Sequence, residues 1–348
     1  MSDVQVRLFS LDADTDTLAW DSFTRAHDAS LGYSGMVWMR IFRQTFGHTP
    51  YPLAALRDGA ICGVLPLMLV SSKLFGRFLI SMPFVNYGGI LADDAEAGQA
   101  LVAEAETLRQ RLEAKSVELR YCQPSGSGLP MKETKVSMML DLPETPDILW
   151  TGFKDKVRNQ VRKARKSGLV CDTGHIDLLD DFYSVFCVNM RDLGTPVYAR
   201  QFFTTVLAAL PESTRILRVR LNNQCIAAGI IYTYGNTMQM PWASSLLAQR
   251  ALCPNHALYW QALEAACLEG YTIFDFGRST PESGPWRFKK QWGTREVPLH
   301  WEYILPPGER MPELNVKNPK FQLAIAAWKK LPLPVANTLG PWIVRCIP

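Results

Sequence analysis

The chain has 348 residues, 47% of them hydrophobic and 20% charged, with a net charge of +4. That is enough apolar surface for two domains or one large one, and it excludes disordered, collagen-like and linker-rich classes. The longest apolar run, 63–70, falls well short of the ~18 residues a membrane span needs, and Met1-Ser2-Asp3-Val4 lacks the basic-then-apolar start of a signal peptide, so a soluble, cytoplasmic protein is expected.

The first predicted elements are a strand at Leu53–Arg57, a turn at Asp58-Gly59 and a strand at Ile61–Leu67. A Pro-containing strand at Ile80–Phe84 and the run Asn86–Ile90 come next. A helix from about Ala95 to Lys115 then leads to a strand at Val117–Tyr121. Val102, Ala105, Leu108 and Leu112 give this helix one apolar face.

Lys154–Lys166 breaks the charge balance. Lys154, Lys156, Arg158, Arg162, Lys163, Arg165 and Lys166 stand against Asp155 alone, so the segment carries +6 and the other 335 residues sum to −2. Val157, Val161 and Ala164 supply an apolar stripe at i, i+4, i+7, and Ser167-Gly168 a stop, which predicts a helix with a basic outer face. Such a face is either solvated or a partner for phosphate: tRNA, a nucleotide-linked substrate, coenzyme A or anionic lipid.

The order of elements then repeats: strand Ile216–Leu221, turn Asn222-Asn223, strand Ile226–Tyr232, Pro-containing strand Thr237–Trp242, helix from about Pro254 to Gly270, strand Ile273–Phe276. Both turns use pairs suited to two-residue hairpins. The repeat predicts an α/β (α+β) fold of two units built alike, with mixed, mainly antiparallel sheets flanked by helices. Phe321–Trp328 is a short apolar helix candidate bracketed by Lys317, Lys320, Lys329 and Lys330. Either packing on the first domain or weak attachment to a membrane surface suits it.

The eight cysteines are scattered without a C-x-x-C pair, which reads as buried thiols in a reducing compartment. The five histidines form no zinc spacing, and no metal site is expected.

Four strings carry a family resemblance: Val157-Arg-Asn-Gln-Val-Arg-Lys-Ala-Arg-Lys166, Asn189-Met-Arg-Asp-Leu-Gly-Thr-Pro-Val-Tyr198, Phe274-Asp-Phe-Gly-Arg-Ser279 and Phe288-Lys-Lys-Gln-Trp-Gly293. Together, and in this order, they resemble FemAB-type proteins, more narrowly those associated with exosortase/PEP-CTERM and exopolysaccharide gene clusters. The resemblance implies tandem GNAT-like domains at 1–145 and 146–305, the second holding the main site. It also implies a tail, 306–348, packing back on the first domain. Members of the wider family transfer an amino acid from aminoacyl-tRNA to an amine of a peptidoglycan precursor. That implies an acyl- or aminoacyltransferase with no cofactor and two partners: a phosphate-bearing donor such as tRNA, and a cell-envelope or exopolysaccharide precursor. GNAT enzymes hold the pyrophosphate of coenzyme A in a glycine-containing loop at a helix start. The corresponding stretch here, 243–256, has no glycine, which disfavours acyl-CoA as donor.

Aminolysis needs an aligned, deprotonated amine and a stabilised oxyanion. Lys289, matching the family's Phe-Lys motif, is assigned to the donor's phosphate end or the oxyanion, with Lys290 as the alternative; in a strand they face opposite ways. Arg278 is assigned to phosphate or carboxylate. Asp275 is either a general base or the partner of Arg278. Arg191 and Tyr198 are assigned to the acceptor, and Trp242 with Trp286 to an apolar wall. Lys156, Arg158, Arg162 and Lys163 are assigned to donor phosphate, Arg158 and Arg162 being one helical turn apart. Two other readings stay open: a coenzyme A-dependent N-acyltransferase, and a non-catalytic module whose basic helix recruits RNA or anionic lipid.

Overall fold

The computed structural model describes residues 3–72, 75–311 and 319–347. The chain divides into two compact units, Met1–Thr134 with Pro298–Leu314 and Arg345–Pro348, and Lys135–Val297 with Asn315–Val344.

The first unit contains β1 (Gln5–Leu8), α1 (Asp14–Ala26), α2 (Met36–Phe46), β2 (Thr49–Arg57), β3 (Ala60–Ser72), β4 (Gly76–Ser81), β5 (Leu91–Ala92), α3 (Ala95–Arg111), β6 (Val117–Tyr121) and β7 (Met131–Lys132). The second contains β8 (Val136–Asp141), α4 (Pro146–Gly152), α5 (Asp155–Lys166), β9 (Val170–Gly174), α6 (Leu179–Leu193), α7 (Arg200–Ala209), β10 (Thr214–Leu221), β11 (Gln224–Tyr234), β12 (Thr237–Ser245), α8 (Pro254–Leu268), β13 (Ile273–Ser279), α9 (Gly284–Lys290) and β14 (Arg295–Pro298). There follow β15 (His300–Ile304), which returns to the first sheet, then α10 (Pro319–Lys329) and α11 (Leu333–Val344).

The two sheets share one plan. The first runs β1-β2-β3-β4-β6-β15-β7, with β5 pairing β3; the second runs β9-β10-β11-β12-β13-β8-β14. Each has one parallel pair near the middle, β4 with β6 and β12 with β13, among pairs that are otherwise mainly antiparallel. The hairpin turns are what their residues dictate. Asp58 and Gly59 have φ of 52° and 81°, Asn222 and Asn223 of 46° and 66°. Two positive-φ residues match the right-handed twist of the flanking strands.

The repeat therefore holds, but the boundaries differ from 145 and 305. Val136–Asp141 hydrogen-bonds to β13 and so belongs to the second sheet, while His300–Ile304 pairs with β6 and belongs to the first. Each sheet thus completes itself with a strand from beyond its own repeat.

The tail is also placed differently from the expected return to the first domain. Helices α10 and α11 lie in the second unit against α6, and only Arg345–Pro348 falls in the first unit. Two glycines allow this approach. A Cβ on Gly194 would stand 2.6 Å from Ile325, and one on Gly340 would stand 2.8 Å from Val197. Of the predicted tail helix, the Phe321 side chain lies outside the described residues.

In the second unit, α5 and α8 cover one sheet face, where Val157, Val161, Ala164, Leu258, Leu263, Phe274 and Phe276 share a buried core. The residues predicted to form the apolar stripe of α5 are the ones buried. Helices α6 and α7 pack against β10, β11 and β12. There Phe202 and Phe203 pack on Trp242, and Phe182 and Phe186 on Phe203.

Candidate active site

The second sheet opens at its parallel pair. Strands β12 and β13 pair only at Thr237↔Ile273, Met238↔Phe274 and Gln239↔Asp275, although β12 continues to Ser245 and β13 to Ser279. Beyond Gln239 the register of β12 on β11 shifts, beside Pro241, which has no amide to give to a ladder. On the other side, the register of β13 on β8 shifts between Asp275 and Arg278.

Buried polar groups collect at this opening. Ser137, Gln239, Asp275, Ser279 and Lys289 are all at most 9% exposed. The Asp275 carboxylate accepts hydrogen bonds from Ser137 Oγ at 2.8 Å and from the Gly277 amide at 2.7 Å. The second bond closes a turn in which Gly277 takes φ of 79°. That turn aims the carbonyls of Gly277 and Arg278 at Lys289 Nζ, which donates to both at 3.0 Å. Two of the three ammonium protons are thereby used, leaving one to offer. Gly277→Ala is expected to cost about 1–2 kcal/mol, because a Cβ is strained at this φ. A urea melt of the variant measures it.

Burial lowers the Lys289 pKa from 10.5 to about 8; the Asp275 carboxylate opposes this shift and the Arg278 guanidinium adds to it. Lys135, on the chain just before β8, bonds Thr280 Oγ1 at 2.5 Å, and its own pKa is lowered by burial and by Arg278. Lys135, Arg278 and Lys289 thus concentrate positive charge at the end of β13, where the buried Ser279 hydroxyl has no hydrogen-bond partner among the described residues. Such an arrangement suits a group that is, or becomes, anionic.

The sequence assignments fare unevenly. Lys289 and Lys290 lie on a helix, not a strand: Ser283 caps α9 by accepting from Trp286 N, with Pro285 in its first turn. The helix turns Lys289 inward and leaves Lys290 outside, paired with Glu296 at 2.5 Å and over the Trp286 ring at 5.6 Å. Arg278 is exposed beside the turn. Trp242 and Trp286 do not share a wall, since Trp242 packs on Phe202 and Phe203 while Trp286 packs against the core under α5 and α8. Tyr198 joins the same aromatic cluster as Trp242, 5.3 Å from Phe202, and Arg191 is held by Asp192 at 2.8 Å.

On α5, Arg158 is paired with Asp155 at 2.5 Å, and Arg162 lies over the Trp150 ring at 5.5 Å. The expected Arg158–Arg162 phosphate grip is therefore reduced to Arg162. Lys156 and Lys163 are exposed, with no ion pair among the described residues. Helix α5 meets the start of α8, where Cys253 Sγ donates to Gln160 Oε1 at 2.5 Å. The first turn of α8 offers little backbone to a pyrophosphate: Pro254 has no N–H, and His256 and Ala257 both donate to Cys253 O, at 3.0 and 3.3 Å. His256 stays neutral, its pKa lowered to about 4 by burial.

Cys171, Cys187 and Cys225 are not ready nucleophiles: burial pushes Cys171 and Cys187 up to about 11 and Cys225 to about 12. Among the described residues no three metal-ligating side chains gather.

Sequence reasoning missed Ser137, Gln239, Ser279 and Lys135. Gln239 left a trace as a polar residue between two methionines in an apolar strand, and Ser279 as the end of the Phe274–Ser279 string.

The first unit opens where β4 and β6 stop pairing, at Ile80↔Glu118. A cavity of about 180 Å³ there is lined by Tyr33, Tyr87, Gly88, Gly89, Arg120 and Tyr121, among others. The glycines of Asn86-Tyr-Gly-Gly89 serve packing, as a Cβ on Gly89 would lie 2.2 Å from the Tyr121 ring.

Residues 152–290, from the end of α4 to the end of α9, match the family model described as an acetyltransferase (GNAT) domain. The match falls within the second unit and likens it to acyltransferase domains of the GNAT class. A search of curated proteins by sequence gives no match. Among solved structures, FemX is similar over 86% of this chain and 97% of its own, at 15% identity and a TM-score of 0.66. The C-terminal domain of a putative lysylphosphatidylglycerol synthetase from Agrobacterium fabrum is similar over 84% of this chain and 92% of its own, at 11% identity and a TM-score of 0.56. A tandem GNAT protein from the clavulanic acid biosynthesis pathway covers 88% of this chain and 100% of its own, at 13% identity and a TM-score of 0.56. At such identities these likenesses establish the fold, a tandem GNAT-like one.

Proposed function

We propose that the protein is an N-acyltransferase of FemAB type, moving an activated aminoacyl group from a phosphate-rich donor, such as aminoacyl-tRNA, to an amine of a cell-envelope or exopolysaccharide precursor. The observation that carries this reading is Lys289: a buried ammonium anchored by two carbonyls at the opening of the sheet. As the amine attacks the ester carbonyl, negative charge develops on its oxygen, and a preorganised donor in a water-poor site stabilises that charge. Arg278 and Lys135 strengthen the same field. The FemX likeness supports the fold for such chemistry, and the four sequence strings support the narrower, exopolysaccharide-associated type.

The choice of donor follows from the phosphate-binding surfaces. The α8 start lacks glycines and its amides are largely occupied, whereas Arg162, Lys156 and Lys163 present positive charge along α5. Asp275 acts by holding the Gly277 turn; the acceptor amine loses its proton to solvent or to the substrate itself as the C–N bond forms, and the ester C–O bond then breaks, the donor leaving as its protonated hydroxyl.

Filter binding to charged tRNA and, separately, to acyl-CoA across a salt series tests the reading. Charged tRNA is expected to bind with a steep salt slope. Lys156→Gln, Lys163→Gln and Arg162→Ala each weaken binding and reduce the slope by about 1. Acyl-CoA binding without tRNA binding would hand the site to a coenzyme A-dependent acyltransferase.

A further inference from the structure

Helix α11 carries two adjacent apolar strips. Ala336, Gly340 and Val344, spaced i, i+4, i+8, are buried, and α11 packs against α6. Val335, Leu339, Trp342 and Ile343 form the neighbouring strip and are exposed, Trp342 at 67%. Helix α10, which also packs against α6, exposes apolar side chains of its own: Ile325 approaches Gly194 at the end of α6, while Leu323 is 73% exposed, and Ala324, Ala326 and Ala327 are exposed too. Single exposed apolar residues need no explanation, but a strip at helical spacing on two consecutive helices marks an interaction surface.

The charge of the segment identifies the partner. From residue 314 to 348 there is no acidic residue, while Lys317, Lys320, Lys329, Lys330 and Arg345 contribute +5. A second copy of the chain would bring the same positive charge to the face and be repelled. A bilayer with anionic headgroups offers both complements at once. The acyl boundary takes Leu323, Leu339 and Ile343, the interface suits the indole of Trp342, and lysine stems extend their ammonium groups to the phosphates. No described helix is long and apolar enough to cross a membrane, so the attachment is to one surface.

We propose that α10 and α11 dock the protein on an anionic lipid surface through Leu323, Val335, Leu339, Trp342 and Ile343, with Lys329 and Lys330 as the basic rim. This surface lies outside the residues assigned to acyl transfer, so the docking stands or falls independently of that reading.

Vesicle flotation of the full chain tests it, with phosphatidylcholine vesicles and with phosphatidylcholine containing about 30% phosphatidylglycerol. Binding to the anionic vesicles is expected to exceed binding to neutral ones by about tenfold at low salt and to fall as salt rises. The double substitution Leu339→Ser with Trp342→Ala lowers it by a further tenfold or more while thermal unfolding is unchanged, because both side chains are exposed. Lys329→Gln with Lys330→Gln, a surface change that leaves the apolar strip intact, reduces binding and flattens the salt dependence. Absence of binding to either vesicle, or binding undiminished in both double variants, would overturn the proposal. So would a dimer in light scattering that dissociates in the Leu339→Ser, Trp342→Ala variant.

Discussion

Lys289→Met lowers acyl transfer by about 10²–10³-fold, the loss typical of removing one donor to a developing oxyanion. Methionine preserves most of the buried stem, so circular dichroism and melting temperature stay close to those of the parent. Lys289→Arg does not restore activity. A planar fork cannot reproduce a compact ammonium donating to the carbonyls of both Gly277 and Arg278 in a site that leaves the residue 9% exposed. The pH profile separates this role from a merely structural one. Burial sets the Lys289 pKa at about 8, so the ammonium is lost, and transfer declines, as pH rises through that value. In Lys289→Met the remaining slow transfer has no such alkaline limb. An unaltered alkaline limb in the variant, or transfer within a fewfold of the parent, would remove Lys289 from the reacting centre.

The same ionisation has a consequence for stability, of opposite direction. The folded-state pKa lies below the ordinary lysine value of 10.5, so between about pH 8 and that value the unfolded chain binds more protons than the folded one. Stability contributed by this group therefore rises with pH across the window and is lost as pH falls through about 8.

Asp275→Ala is expected to be the most destabilising single change in the site, by about 3 kcal/mol, or roughly 6–12 °C in melting temperature for a unit of this size. It removes the acceptor of Ser137 Oγ and of the Gly277 amide, and it takes away the carboxylate that favours the charged form of Lys289. Asp275→Asn retains an acceptor oxygen for the turn and should cost only about 1–2 kcal/mol. It lacks the negative charge, so the alkaline limb of the activity profile moves below about pH 8. Thermal melts of the two variants, with pH–rate profiles of the asparagine form, decide between this positioning role and general-base catalysis. A general base would lose its function in Asp275→Asn at every pH.

What was legible from the residues came from local, repeating physics. The basic helix announced itself by an i, i+4, i+7 stripe, and Val157, Val161 and Ala164 are buried as that spacing requires. The hairpin turns followed from Asp-Gly and Asn-Asn, and the recurrence of strand, turn, strand and helix disclosed a duplicated fold. Lys289 stands out by its motif but sits on a helix where a strand is expected: Ser283 and Pro285 are helix-start signals, and they outweigh the apolar character of Trp286 and Phe288.

The rest depended on residues far apart in the chain. Nothing local in Lys135 or Ser137 points to β13, because their partners Thr280 and Asp275 lie 145 and 138 residues away. The exchange by which Val136–Asp141 completes the second sheet and His300–Ile304 the first is likewise a property of strand pairing, which sequence spacing does not encode. The sequence by itself determined the helices, the turns, the duplication and the concentration of basic charge, since periodicity and turn chemistry act over a few residues. Only the tertiary structure decided which lysine is buried, what holds it and where the tail lies, since burial and charge coupling arise when distant segments are packed together.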